Sequence, residues 1–169
     1  MKDTWSLDAL YTGYDDPQFS ADIAKLKESV QAINALPDTL SHDDEGNSVT
    51  NILQSEEAFI LLGGKLGSYL ALRQATDTTD AQTVAYFTQV QQITSECAKA
   101  LAKIDAYIQA IEDMDALCTQ SAFLKEYEYL LQQTKQDGKY RLSEEVEEVI
   151  AKLNLSAGDA WGKLQEYLT

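Results

Sequence analysis

Residues 80–113, DAQTVAYFTQVQQITSECAKALAKIDAYIQAIED, decide the fold. Val90, Ile93, Cys97, Leu101, Ile104, Ile108 and Ile111 recur at steps of three and four. That spacing is one face of an α-helix. It predicts a helix from about Asp80 to Asp113, the longest in the chain, about 50 Å at 1.5 Å per residue. An apolar stripe of that length exceeds what a few shorter helices cover. Part of it, or the apolar face of a last helix with Trp161 and Leu164, is expected to be exposed, and exposed apolar patches mark partner surfaces.

The flanking sequence reads the same way. Asp16-Pro17 suits a helix start, because Asp caps and Pro at the first helical position gives up an N–H that has no partner there. Phe19, Ile23, Leu26, Val30 and Ile33 then form one stripe, and Pro37 ends it. Ser41 to Ser48 reads as a polar acidic loop. A second helix is expected from about Val49 to Ala75, with Ile52, Phe59, Leu62, Leu66, Tyr69 and Leu72 inward. Gly63, Gly64 and Gly67 lie inside it, each costing a helix roughly 0.8–1 kcal/mol relative to Ala. A close backbone approach, a bend and a break between two helices would each explain them.

Asp77-Thr78-Thr79-Asp80 is the next stop, and Thr79 with Gln82 has capping-box spacing. A fourth helix is expected from Ser121 to Gln136, with Phe123, Tyr127, Leu130 and Leu131 inward, followed by a turn at Asp137-Gly138-Lys139. Ser143 is expected to cap a fifth helix with Val146, Val149, Ile150 and Leu153 inward. Glu144, Glu145, Glu147 and Glu148 place negative charge where the helix dipole favours it. Ser156 starts a last short helix with Trp161, Leu164 and Leu168 on one face. No strand-period segment is visible. The expectation is an all-α fold: an elongated antiparallel array or bundle of about six helices with one very long central helix, in which residues 1–169 form a single helical domain.

Composition narrows the function. A 44% hydrophobic content in 169 residues is enough for a packed core. Against 13 basic residues stand 28 acidic ones, a formal charge of −15. Such a chain repels nucleic acid phosphates and anionic lipid heads, so neither is an expected partner. No apolar run approaches the ~20 residues that span a bilayer, and the N-terminus has no signal-peptide stretch, so a cytoplasmic location is expected.

Catalytic groups are sparse. A zinc site needs imidazole, thiolate or carboxylate ligands at fixed spacing. His42 is the one histidine, and Asp43, Asp44 and Glu45 beside it lack both ligand spacing and the order of a calcium-binding loop. His42 is read as a solvated loop residue. Cys97, on the apolar stripe, is expected to be a buried, unreactive thiol unpaired with Cys118, and Cys118 to sit exposed in an interhelix loop. The glutamate doublets after Ser143 are read as capping and a solvated face, since the Glu-x-x-His pairs of a di-metal bundle are absent. Leu62-Gly-Gly-Lys-Leu-Gly67 lacks the spacing of a phosphate-binding loop. No catalytic, cofactor-binding or metal-ligating residue is assigned.

Two terminal motifs and one internal turn carry a resemblance. The opening has Trp5, Leu7, Leu10 and Tyr11, then Asp15-Asp16-Pro17 and Phe19. The close has Leu142-Ser143-Glu144-Glu145 running to Ile150, then Gly158, Trp161 and Leu164. Between them stand Asp77-Thr78-Thr79-Asp80 and the long apolar stripe. Together they resemble the N-terminal lobe of the oligoendopeptidase F family of zinc metallopeptidases, in the thimet oligopeptidase superfamily. The resemblance implies a mostly helical lobe facing a catalytic lobe across a deep channel. There a His-Glu-x-x-His helix and a later Glu hold zinc, which lowers the pKa of its bound water. No position of this sequence matches those residues, so zinc is expected in the catalytic lobe and none here.

The resemblance implies that this chain is a channel wall restricting access to short peptides. Its expected partners are a catalytic lobe of the same polypeptide and, in the whole enzyme, short peptide substrates. The chain stops at Tyr167-Leu168-Thr169 without a Gly or Pro stop, so the gene is expected to continue past Thr169, and the isolated chain to self-associate. The rival is a free-standing helical interaction module without enzymatic activity, binding a partner helix along an apolar groove.

Overall fold

Asp16 accepts a hydrogen bond from Gln18 N at 2.9 Å, and Pro17 opens α1 (Pro17–Ala35). Phe19, Ile23, Leu26, Val30 and Ile33 are all buried, as their spacing predicts. Leu36–Asp38 closes the helix as a 3-10 turn at Pro37. A computed structural model describes residues 6–140 and, beyond them, positions 146, 149, 150, 153, 157, 158, 160, 161, 164 and 165.

The acidic loop is shorter than expected. His42–Asp44 is a 3-10 turn, and Asp44 accepts from Asn47 N at 3.2 Å to cap α2 (Glu45–Thr76). Ser48 Oγ bonds to both the N–H and the carbonyl of Ser41, which pins the turn onto the helix. With 32 residues, α2 is the longest helix among those described, about 48 Å. The very long helix is therefore the second rather than the third. It runs unbroken through all three glycines. A Cβ on Gly63 would meet Leu26 Cδ1 at 3.8 Å, an ordinary contact, and one on Gly64 or Gly67 would meet nothing within 4 Å. Neither a break nor a close backbone approach accounts for them.

The inward face of α2 is Val49, Ile52, Leu53, Leu66, Tyr69 and Leu70, with Phe59 and Leu62 half-buried. Leu72, expected inward, is 46% exposed.

The expected third helix is two helices, α3 (Ala81–Ser95) and α4 (Ala98–Ala110). Asp80, rather than Thr79, is the cap, accepting from Gln82 N at 3.0 Å. Side chains bond back to the backbone just before the break at Glu96 and Cys97. Thr94 Oγ1 donates to Gln91 O at 3.0 Å, Ser95 Oγ to Gln92 O at 2.7 Å and Cys97 Sγ to Thr94 O at 3.1 Å. Three side chains thus engage the carbonyls of the last turn, and such back-bonding competes with the helical ladder. The apolar stripe nevertheless continues across the break. Val90, Ile93, Cys97, Ile104, Ile108 and Ile111 are buried and Leu101 is half-buried, because α1 packs on both α3 and α4 while α2 packs on α1 and α3. The expectation that this stripe outruns its cover is corrected.

Asp113 caps α5 (Met114–Cys118) through Ala116 N at 2.9 Å, and Ser121 caps α6 (Ala122–Glu126) through Leu124 N at 3.1 Å. The expected fourth helix breaks at Tyr127, after which α7 runs Glu128–Asp137. Leu124 and Leu131 face inward, whereas Leu130 is 49% exposed. Lys135 Nζ donates to Ile111 O at 2.6 Å and Glu112 O at 2.7 Å, satisfying carbonyls left over beyond α4. Gly138–Tyr140 is a 3-10 turn.

Contacts divide the chain into two units, Met1–Lys135 and Gln136–Thr169. In the second unit Val146, Val149, Ile150, Leu153, Trp161 and Leu164 are helical, and all six are exposed, which corrects the inward placement expected of the first four. Ala157 N donates to Leu153 O and Trp161 N to Ala157 O, both helical steps. Trp5, the cap at Ser143 with Leu142, Glu144, Glu145, Glu147 and Glu148, and the helix start at Ser156 lie outside the described residues. Every element among the described residues is helical, so the fold is all-α.

Candidate functional site

Asp22 falls on the apolar face of α1, between Phe19 and Ile23, and is 3% exposed. A carboxylate buried there needs partners. Tyr11 Oη donates to Oδ2 at 2.8 Å, Lys65 Nζ to Oδ2 at 2.8 Å and Gln18 Nε2 to Oδ1. Burial opposes the charge on Asp22, but donation from Lys65, Tyr11 and Gln18 outweighs it and holds the carboxyl below its ordinary value. Burial, then the Asp22 bond and charge, push the Tyr11 phenol up. Lys65 Nζ also sits 4.2 Å from the Tyr11 ring centroid, a cation–π contact.

Around this ion pair five rings gather: Tyr11, Tyr14, Phe19, Tyr69 and Tyr86. Tyr11 meets Phe19 edge-on at 5.2 Å and Tyr69 at 5.0 Å, and Tyr86 meets Phe19 at 5.0 Å. Arg73, one turn beyond Tyr69 on α2, lies 5.1 Å above the Tyr14 ring. A hydrogen bond to the Tyr14 hydroxyl, the largest influence on it, raises its pKa further. Tyr14 Oη in turn bonds to Thr83 Oγ1, which donates to Asp80 Oδ2 at 2.6 Å. Tyr14, Thr83 and Asp80 are therefore a hydrogen-bonded chain that ties the ring under Arg73 to the cap of α3. A cavity of about 480 Å³ opens beside it, with Leu7, Asp8, Tyr11, Tyr69, Leu72 and Arg73 among its walls.

The residues weighed from the sequence lie elsewhere. His42 is exposed, as expected, but not idle. Its Nδ1 is 2.8 Å from Glu45 Oε1 and its ring stacks on Tyr107 at 4.6 Å. A second cavity of about 470 Å³ brings His42 and Glu45 together with Glu112 and Asp113. Among the described residues no three His, Cys, Asp or Glu stand where they could hold a metal ion. The described residues do not fit a zinc centre.

Cys97 is fully buried and free, as expected. Cys118 is fully buried too, on α5, which corrects the expectation of an exposed loop thiol. Burial pushes both thiols up. On α2, burial first and the charge of Asp105 second push Glu56 up to about 7.

Sequence reasoning passed over Asp22, Lys65, Glu56 and Arg73. The signal for Asp22 was available: it stands three residues after Phe19 and four before Leu26, at core register. Nothing local marks the other three, whose partners come from distant segments.

With this geometry in place, the class is an all-α domain over the described residues. The family model described as Oligopeptidase F matches residues 102–169. Nothing among the curated proteins and nothing among the solved structures matches the chain. Over residues 102–169 the chain is similar to that family's N-terminal domain. The closing motif, from Leu142 to Leu164, falls inside that stretch. The opening motif and the 77–80 turn precede it.

Proposed function

We propose that this chain is the N-terminal helical lobe of an oligoendopeptidase F-like zinc metalloendopeptidase, acting in the cytoplasm. In this reading it forms one wall of a channel that admits short peptides. The observation that carries the reading is the family match over residues 102–169. Zinc chemistry then belongs to a catalytic lobe of the same polypeptide, and this chain contributes shape and surface.

A surface feature supports a lobe built to meet something. Ile60, Leu61, Gly64, Ser68, Ala71 and Leu72 share an arc of α2 opposite its buried face, and all are exposed, Ile60 at 64% and Leu61 at 67%. In a chain of charge −15 this arc carries no charge. Exposed apolar surface of this kind favours a partner. It favours the rival interaction module equally.

Reading the gene beyond the codon for Thr169 separates the two. The expected result is a continuous frame leading to a His-Glu-x-x-His helix, and a full-length product that cleaves short peptides and loses activity to a chelator. A stop codon directly after Thr169 refutes the peptidase reading and leaves the module.

A further inference from the structure

Arg73 is the one arginine among the described residues, and no carboxylate there lies within salt-bridge distance of it, although acidic residues outnumber basic ones 28 to 13. It is half-buried at the wall of the cavity beside the ring cluster. The Tyr14 ring lies 5.1 Å from the guanidinium carbon, and a guanidinium has five N–H donors in a fork that matches a carboxylate. On the same cavity stands the exposed Asp8, a negative group not ion-paired with Arg73. Between them the surface is apolar and aromatic: Leu7, Tyr11, Tyr69 and Leu72.

We infer that this cavity binds a small zwitterion with an apolar side chain, a dipeptide or free α-amino acid. Its carboxylate sits on Arg73, its ammonium faces Asp8 and its side chain lies against Leu7 and Leu72. A wall with one cation, one anion and an apolar floor matches that ligand group by group. Phosphate and other simple anions would meet Asp8 as a repulsive neighbour, with Asp80 already acting on Arg73. The cavity's 480 Å³ lies within the roughly 300–1,000 Å³ of small-molecule sites. Tyr11 and Tyr69, each 1% exposed, are already held by neighbouring rings, so the floor is pre-formed. The inference stands on the cavity alone and does not depend on the peptidase reading.

The test uses this chain and isothermal titration calorimetry with leucyl-leucine, free leucine and N-acetyl-leucyl-leucine amide. Leucyl-leucine or leucine should bind, and whichever binds tighter identifies the source of the zwitterion. The capped peptide has the same apolar groups and no charge, and should bind at least about tenfold more weakly. Arg73→Gln and Asp8→Asn should each weaken binding by about tenfold with an unchanged circular dichroism spectrum, and Arg73→Lys should recover part of the loss. If Arg73→Gln unfolds the chain, Asp8→Asn and the capped peptide still decide. No binding of either zwitterion at millimolar concentration overturns the inference. So does equal binding of the capped peptide, or binding untouched by Asp8→Asn.

Discussion

Lys65 Nζ lies 2.8 Å from Asp22 Oδ2, so an ion pair joins the longest helix, α2, to the buried face of α1. Its two ends differ in exposure, 33% for the Lys65 side chain and 5% for Asp22. Removing the Lys65 charge leaves the buried carboxylate with Tyr11 and Gln18 as donors and only the exposed Lys25, at 4.0 Å, as a cation.

Lys65→Met keeps the stem and removes the charge. Breaking a buried pair costs about 3–5 kcal/mol, and the partial exposure of Lys65 brings the expectation to about 2–3 kcal/mol. Urea denaturation at pH 7 measures it. A loss under 0.5 kcal/mol would mean that Tyr11 and Gln18 satisfy Asp22 unaided. Asp22 has a lowered folded pKa, so its contribution is present above its unfolded value near 3.8 and is lost as pH falls through the folded one.

Glu56 works in the opposite sense. Its folded pKa of about 7 stands above its ordinary 4.5. Between those values the folded state holds a proton that the unfolded state has released. Stability attributable to Glu56 therefore falls as pH rises from about 4.5 to about 7, then stays level. Glu56→Gln should abolish that decline and stabilise the protein at pH 8, by at most about 3 kcal/mol. Melting curves across this pH range for both proteins check the sign. A parallel decline in the variant would place the titration elsewhere.

Gly64 and Gly67 have open space where a Cβ would go. Gly64→Ala and Gly67→Ala should each stabilise α2 by roughly 1 kcal/mol, the difference in helix propensity. Gly63→Ala should also be tolerated, since it meets Leu26 only at van der Waals distance. Destabilisation by Gly64→Ala would reveal a partner backbone on that face.

Cys97 and Cys118 both have no exposed surface. A bulky thiol reagent should label neither in the native protein and both in denaturant, because burial suppresses the thiolate and blocks access. Mass spectrometry of the labelled peptides distinguishes the two sites. Prompt native labelling at Cys118 would place α5 in local opening.

Much of this protein is determined by local pattern. The spacing of Phe19, Ile23, Leu26, Val30 and Ile33 specifies a helix and its buried face, and Asp16-Pro17 specifies where it starts. The stripe from Val90 to Ile111 identifies core residues correctly on both sides of Cys97. Periodicity of side chains does not register a backbone break when the stripe resumes in phase. The break coincides with hydroxyls folding back onto Gln91 O and Gln92 O.

The polar interior was decided only by tertiary packing. Asp22 and Lys65 are 43 residues apart, Tyr14 and Thr83 are 69 apart, and Glu56 acquires its shift from burial and from Asp105 on another helix. A charge is costly or tolerable according to what surrounds it in space, and the surroundings of these residues exist only once α1, α2, α3 and α4 have packed. Cys118 carries the same lesson, since a thiol in a five-residue helix has no local signature of burial. Helix positions follow from neighbours along the chain, whereas the ion pair, the arginine at its cavity and the shifted glutamate follow from neighbours across it.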